Sequence, residues 1–260
     1  MTSSLTLIAM LAILGLWVVA LGLEVAGRRS LVLGRIGAGL GVAGLVGLAG
    51  LLTALWITLD RPPLRTLGET RLWYAGLTVA AGLLVAWRAE ASWLRIPMLL
   101  LGGLFLAITA ANPATLDRTL MPALQSPWFV PHVIVYLLSY ALLGLAAAAA
   151  AWNLVRKDDD DTLAVHLVHL GLPLLTVGLV FGAIWAKEAW GHYWAWDPKE
   201  TWALLTWLAY TALIHRLHDR WRGRPALWAI VAAFSVVLGC WYLVNLLPSA
   251  AVSVHTYTRG

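Results

Sequence analysis

The amino-acid sequence predicts an all-α, polytopic membrane protein with about eight transmembrane helices. Two observations support this fold class. First, 61% of the 260 residues are hydrophobic and only 12% are charged, whereas soluble domains carry about twice that charged fraction. Second, the apolar residues form continuous runs of about 20 residues, the length of a helix that crosses the hydrocarbon layer. Strands of a membrane barrel would alternate apolar and polar residues, so we expect helices throughout.

Eight apolar runs define the predicted spans in chain order. The N-terminal segment MTSSLTLIAM has no basic residue before its apolar run, so it is interpreted as a retained first span and not as a cleaved signal peptide. The second span contains glycines at three- and four-residue spacing, which favours close packing against another helix. The third and seventh are the shortest. The spans are predicted at 5–26, 36–58, 72–88, 93–111, 130–155, 166–187, 199–216 and 226–247.

The distribution of basic residues predicts the orientation of these spans. Of the 18 lysines and arginines, eleven lie in one set of connections, which includes Arg28, Arg29 and the cluster at 216–224, and seven lie in the other set. Basic residues are enriched in cytoplasmic connections, so we expect both termini on the outer face. The net charge of +5 then reflects topology and gives no reason to expect nucleic-acid binding. The segment 157–161, with four aspartates, is predicted to be a solvated cytoplasmic turn.

The outer connection between the sixth and seventh spans is rich in tryptophan. Six of the sixteen tryptophans lie within 185–207, in the sequence WAKEAWGHYWAWDPKETWALLTW. Tryptophan suits the membrane–water interface, and a dense aromatic surface there suits a large, flat, apolar ligand with a few polar groups. Asp197, Pro198 and Glu200 occupy the N-cap, first and third positions of a predicted helix start. Both acids are therefore explained as caps, which fix the positions of the neighbouring tryptophans.

Histidines lie at the predicted outer face. His132 begins the fifth span, and Tyr136, Ser139 and Tyr140 follow at spacings that put them on its side of the helix. His255 follows the eighth span and is predicted at the same membrane face. Neutral imidazole nitrogens ligate haem iron, and apolar side chains contact the porphyrin. The sequence therefore permits a haem site at this face.

Two further groups are single residues within spans. His215 lies near the inner end of the seventh span, where an ionisable side chain is a candidate functional residue. Cys240, the only cysteine, lies in the eighth span and is interpreted as a packing residue. Because one cysteine forms no disulfide within the chain, thiol chemistry would have to come from a partner.

The segment WGHYWAWDPKET, from Trp190 to Thr201, resembles the tryptophan-rich signature of the haem-handling cytochrome c biogenesis proteins. Its continuation TWALLTWLAYTALIHRLH is most similar to the CcsA (ResC) family, the membrane subunit of the system II cytochrome c synthase. The resemblance extends over 128–260, and the half 1–127 matches weakly. We therefore predict one transmembrane domain, 1–260, with a haem-handling core at 128–260 and the signature at 185–207.

The resemblance implies roles for particular residues. His132 and His255 would be axial ligands of an external haem b, and His215 one ligand of a second haem within the membrane. The opposite ligand of that second haem would come from a CcsB (ResB) partner. The family's usual histidine before the third span is absent, and Arg61 stands in its approximate place. The residues expected to hold the external haem ring are Trp190, Trp194, Trp196, Asp197 and Trp202.

The function implied by the resemblance is thioether attachment of haem to the CxxCH cysteines of an apocytochrome c. It would take place at the outer face of a bacterial-type plasma membrane, with haem export from the inner site. Three other functions stay open. A carrier that loads a separate haem chaperone, like the related CcmC, has a signature that diverges after Trp-Asp. A haem b electron-transfer subunit would carry paired histidines on one span. A transporter without haem would carry more acidic residues within its spans than Glu24.

Overall fold

The computed structural model describes residues 3–27, 30–116, 122–219, 221–248 and 253. Every regular element within these residues is helical. Eight α-helices follow one another along the chain, and short 3-10 turns occupy some of the connections. The helices are α1 (Ser3–Ala26), α2 (Leu31–Leu59), α3 (Leu67–Arg88), α4 (Arg95–Ala111), α5 (Phe129–Arg156), α6 (Thr162–Trp190), α7 (Pro198–Asp219) and α8 (Arg224–Trp241).

Each helix overlaps one predicted span, so the all-α, multi-pass membrane fold is confirmed. In the part of the chain that the structure describes, six helices are long and apolar enough to cross a membrane. The other two, α3 and α7, have a less hydrophobic composition, and they are the two that the sequence predicts as shortest. The eighth helix ends at Trp241, earlier than predicted, because the chain tightens into a 3-10 turn at Leu243–Leu246.

The chain forms two compact units, Met1–Thr119 and Leu120–Gly260. In the first unit, α1 packs against the glycine-rich face of α2. The buried indole of Trp17 donates its Nε1–H to the Gly41 carbonyl at 3.2 Å. A Cβ at Gly44 would lie 2.3 Å from that indole nitrogen, and one at Gly37 would lie 3.1 Å from the Ala20 carbonyl oxygen. Gly37 and Gly44 of α2 therefore serve close helix packing.

A buried ion pair fixes the start of α3 in the first unit. The Arg61 guanidinium donates two hydrogen bonds of 2.9 Å to the two carboxylate oxygens of Glu69. Glu69 also accepts from the backbone N–H groups of Arg65 and Thr66, and the Thr66 hydroxyl caps the helix in return. Both oxygens of a carboxylate that is 2% exposed thus accept hydrogen bonds. The side chain of Arg61 thus stabilises the start of α3.

The second unit centres on α5, which packs most extensively on α6 and also contacts α8. The predicted solvated turn at 157–161 needs a correction at its last residue. Asp161 is buried and accepts three hydrogen bonds from the Arg222 side chain, one of 2.6 Å from Nη2 and two of 3.0 Å from Nε, and one of 2.7 Å from the Gly223 N–H. The carboxylate joins the α5–α6 turn to the start of α8, because buried carboxylates require such donors.

The remaining aspartates of that turn are exposed. The Thr162 hydroxyl and N–H, which bond the Asp160 carboxylate, lower the pKa of that group. Among the described residues, no group of three or more His, Cys, Asp or Glu side chains has the geometry of a metal site. The aspartate run therefore has a structural explanation in helix capping and turn formation.

Candidate functional site

The polar and aromatic stripe predicted on α5 is present in the structure. The rings of His132 and Tyr136 lie with their centroids 4.8 Å apart, and those of Tyr136 and Tyr140 lie 5.3 Å apart. Ser139 donates its hydroxyl to the Gly171 carbonyl of α6 at 2.8 Å. The stripe therefore faces the interior of the second unit and runs along the surface of α6.

His132 is held by a backbone carbonyl of α6. Its Nδ1 lies 2.9 Å from the carbonyl oxygen of Gly178. A carbonyl oxygen only accepts, so the hydrogen of the neutral imidazole must be on Nδ1. Nε2 then carries the ring's lone pair, which is the form of histidine that ligates metals, and metal-bound histidines commonly donate their other N–H to a carbonyl. The contact thus fixes both the tautomer and the orientation of the ring.

Two glycines of α6 make room for this ring and for the next one on the stripe. A Cβ at Gly182 would lie 2.8 Å from Cε1 and 2.9 Å from Nδ1 of His132. A Cβ at Gly178 would lie 2.3 Å from Cδ2 of Tyr136. Real Cβ atoms do not approach other heavy atoms so closely, so any side chain at these positions would displace the rings.

Trp185 supports the other side of His132. The two rings are stacked, with centroids 5.6 Å apart and an interplanar angle of 19°. Trp185 is 3% exposed and donates its Nε1–H to the Ala123 carbonyl at 2.8 Å. It also contacts Phe129 and Trp190, whose ring centroids lie at 5.2 and 4.8 Å. The indole therefore ties the 3-10 turn at Pro122–Gln125 to α6 beside the histidine.

The tryptophan-rich segment leaves α6 in a tight turn and enters α7. Gly191, with φ of 86°, ends α6, and Trp196 adopts a left-handed φ of 59° that is uncommon for a bulky residue. The side chains of Trp194 and Trp196 meet edge to face at 5.9 Å. Trp196 is 69% exposed, and Trp194 is partly buried. The indole of Trp196 is thus presented at the surface by a backbone in a sparsely populated conformation.

Asp197 and Glu200 cap the start of α7 as the sequence predicts. The Oε2 atom of Glu200 accepts from the N–H groups of Ala195 and Asp197, and the Oδ1 atom of Asp197 accepts from the N–H of Lys199. Both carboxylates are buried. Their hydrogen bonds hold the loop that carries Trp194 and Trp196, so the capped helix start gives the aromatic segment a defined shape.

The end of the chain is described at one residue only, Ser253. Its hydroxyl donates to the Oδ1 atom of Asp197 at 3.0 Å. His255, two residues further along, lies outside the described residues. The contact places Ser253 beside the start of α7, within the tryptophan-rich segment.

Two further predicted site residues, Trp202 and His215, lie on α7. Trp202, on α7, packs against α8, where a Cβ at Gly239 would lie 2.5 Å from its ring. His215 is exposed on α7, 17 residues after the helix start at Pro198, which corresponds to roughly 25 Å along the axis. No contact between His215 and His132 occurs among the described residues. Gly178, Gly182 and Trp185 are the contacts that analysis of the sequence missed.

Comparison with known proteins decides the family. The model of the family described as "Cytochrome C assembly protein" matches residues 64–251. The chain belongs to this family. It is 32% identical to the "Cytochrome c biogenesis protein CcsA" of Synechococcus sp. (strain JA-3-3Ab), over 84% of this chain and 85% of that protein. The CcsA of Gloeothece citriformis (strain PCC 7424) is 31% identical, over 85% and 86%.

The alignment with the CcsA of Chlamydomonas reinhardtii reaches 43% identity but covers only 53% of this chain and 42% of the algal protein. The resemblance to the CcsA family predicted from the sequence is confirmed, and the chain has a role in cytochrome c biogenesis. Membership also implies the handling of haem. The individual roles of the predicted site residues stay predictions.

Proposed function

We propose that this chain binds haem b at its outer face, with His132 and His255 as axial ligands, and supports covalent attachment of that haem to the CxxCH cysteines of an apocytochrome c. The haem is cargo in this reaction. The proposal includes the predicted topology, in which the tryptophan-rich segment lies on the outer side of a bacterial-type plasma membrane. It also includes a CcsB-type membrane partner.

The observation that carries the proposal is the hydrogen bond from His132 Nδ1 to the Gly178 carbonyl. It directs the lone pair of the imidazole to Nε2, and stacking on Trp185 restricts rotation of the ring. A ligand that is oriented before the metal arrives binds it more tightly.

The aromatic segment supports the same proposal through its shape and polarity. Trp190 lies beside Trp185, and Trp194 and Trp196 project from a loop that is held by buried caps. Apolar rings of this size suit the faces and edges of a porphyrin. The Ser253–Asp197 hydrogen bond supports a position for His255 near this segment, since only one residue separates it from Ser253 in the sequence.

In the proposed reaction the chain positions its two substrates. Haem supplies vinyl groups, across which each cysteine S–H adds, so that a C–S bond forms and the thiol proton ends on the neighbouring vinyl carbon. His132 and the tryptophans would hold the ring so that one edge stays accessible to the thiols. Holding two reactants in contact is itself a large rate effect, and the chain need not supply a strong acid or base.

His215 is proposed as one ligand of a second haem within the membrane. Its exposure on α7 supports this role, because the opposite ligand would have to come from a second chain. The CcsB-type partner would supply it, and haem would pass from this inner site to the outer one.

Replacement of His132 tests the proposal. We expect His132→Ala to lower the haem content of the purified protein and the yield of holocytochrome, and added imidazole to restore part of both. His169→Ala is the matched control, since His169 bonds a carbonyl of its own helix. If His132→Ala kept the full haem content and full attachment without imidazole, the ligand role would be wrong. Full haem content in the unaltered protein without thioether products would instead favour a carrier.

A further inference from the structure

A polar pocket lies in the second unit, between the 3-10 turn at Pro122–Gln125 and the last turn of α6. Its volume is about 320 Å³. Ala123 and Ala189 provide apolar walls, and Gln125, Ser126 and Glu188 provide the polar groups. The roles proposed above for His132 and the tryptophans leave this pocket unused. It is large enough for one long side chain.

The carboxylate of Glu188 lines the pocket, is exposed to solvent and is held by one side-chain hydrogen bond. The buried hydroxyl of Ser126 donates to its Oε2 atom at 2.7 Å and accepts from the N–H of Trp128 at 3.2 Å. The hydroxyl therefore has a fixed direction and holds the carboxylate by a charge-assisted hydrogen bond. The side chain of Gln125 lines the exposed rim. Such a set of oxygens suits an ammonium or a guanidinium group.

The pocket carries a negative charge that the described residues do not neutralise. None of the ion pairs among them involves Glu188. The nearest base in the sequence, Lys187, donates its ammonium to the Gly191 carbonyl at 2.7 Å and lies 5.6 Å from the Tyr193 ring centroid. Lys187 is thus engaged with the turn after α6. A positively charged ligand would neutralise the Glu188 carboxylate.

The pocket is one side chain away from His132. Trp185 stacks on the histidine on one side and, through Nε1, bonds the Ala123 carbonyl in the pocket wall on the other. Glu188 follows Trp185 by three residues, so both lie on the same side of α6. An extended polypeptide covers about 3.3 Å per residue, so a segment that reached both the pocket and the neighbouring proposed haem site would make its two contacts a few residues apart.

We propose that this pocket binds a lysine or arginine side chain of the polypeptide that receives the haem, within a few residues of its CxxCH cysteines. This inference rests on the proposed function, which brings that polypeptide to the same face. The basic side chain would pair with Glu188 and anchor the peptide while its thiols lie at the haem edge.

Peptide binding tests the inference. Fluorescent peptides of 15 residues with a SxxSH core, which has no thiol to react, would carry lysine, glutamine or glutamate at one of the flanking positions. Their dissociation constants would be measured by anisotropy on the purified full chain. We expect the lysine peptide to bind about two- to five-fold more tightly than the glutamine peptide, as for an ion pair with an exposed carboxylate.

Two substitutions then assign the preference to the pocket. Glu188→Gln should abolish the preference for lysine, and Glu188→Lys should transfer it to the glutamate peptide. Asp60→Asn, which removes an exposed carboxylate in another connection on the same predicted side, should leave the preference unchanged. Equal binding of the lysine and glutamine peptides by the unaltered chain at every flanking position would overturn the inference, and so would a lysine preference that survives Glu188→Gln.

The basic group could also come from this chain, because Arg118 precedes the pocket in sequence and lies outside the described residues. A lysine preference that appears only in Arg118→Gln would mean that the chain's own arginine fills the pocket, and the peptide assignment would be wrong. The haem absorbance of the same preparations separates the two proposals. Haem-loaded protein without a lysine preference overturns this inference alone, and a lysine preference in protein that never binds haem overturns the proposed function alone.

Discussion

Substitution of Gly182 by alanine is the most direct test of how α6 positions His132. The added Cβ would lie 2.8 Å from Cε1 and 2.9 Å from Nδ1 of the imidazole. Both atoms belong to a ring that is also held by the Gly178 carbonyl and by Trp185. The ring therefore has to move away from α6, and the Nδ1 hydrogen bond lengthens or breaks.

The effect on stability should be small, because two contributions oppose each other. Alanine is favoured over glycine within a helix by about 1 kcal/mol, and an extra methyl group in a packed interface costs about 1–3 kcal/mol. The net loss is about 0–2 kcal/mol. The effect on ligand binding should be larger. Loss of a hydrogen bond that orients a metal ligand lowers metal affinity about 10- to 100-fold, which is about 1.4–2.8 kcal/mol.

Gly171→Ala supplies the matched control. Gly171 lies on the same helix and faces α5, but its added Cβ would meet Leu143, at 2.6 Å from Cδ2, and not the histidine. Haem affinity would be measured by titration of apoprotein at the Soret band. Stability would be measured by the reaction of a thiol-specific dye with buried Cys240 on heating, since it is the only cysteine.

We expect Gly182→Ala to weaken haem binding about 10- to 100-fold and Gly171→Ala to leave it within a factor of about two. Both variants should unfold at similar temperatures. Equal haem affinities for the two variants would refute the claim that α6 orients a haem ligand. The claim would also be refuted if both variants lost haem affinity in proportion to their loss of thermal stability.

Two further predictions concern buried carboxylates, and both are measured as midpoints of thermal unfolding. Glu69→Ala should destabilise the protein by about 3–5 kcal/mol, because it leaves a buried guanidinium unpaired. Arg61→Ala should cost less, since the α3 cap still donates two backbone N–H groups to the carboxylate; equal losses would contradict this. Asp161→Asn should cost about 1–3 kcal/mol through its weaker bonds to Arg222, whereas exposed Asp158→Asn should cost almost nothing. A harmless Asp161→Asn would show that the buried carboxylate does not stabilise the turn.

The sequence predicts the helices well because their signals are local. Apolar runs of sufficient length define all eight, and the Asp-Pro-Lys-Glu start places α7 to within one residue. Its predictions fail where contacts join distant parts of the chain. The burial of Asp161 depends on Arg222, 61 residues away, and a run of four aspartates looks solvated until that partner is known. The 3-10 turn that shortens α8 lies within an apolar stretch that gives no local stop signal.

The candidate site shows the same division between local and distant information. The stripe from His132 to Tyr140 follows from helical periodicity alone. The hydrogen bond that holds His132 does not follow from periodicity, because the Gly178 carbonyl is 46 residues away in the sequence. A carbonyl leaves no trace in the sequence, as every residue has one. Trp185 belongs to the tryptophan-rich segment, but its position within α6 gives it a role that its neighbours in the loop do not share.

A signal for this support is nevertheless present in the spacing of the α6 glycines. Positions 132, 136 and 143 on α5 meet positions 182, 178 and 171 on α6, in antiparallel register. Each large side chain of the first series therefore faces a glycine of the second, and the intervals of four and seven residues are the same in both. When one helix carries large side chains and the other carries glycines at the same intervals, the two helices can pack closely along that face. This close packing brings His132 within hydrogen-bonding distance of a carbonyl of α6. The glycines, and not the tryptophans alone, therefore determine the orientation of the proposed iron ligand.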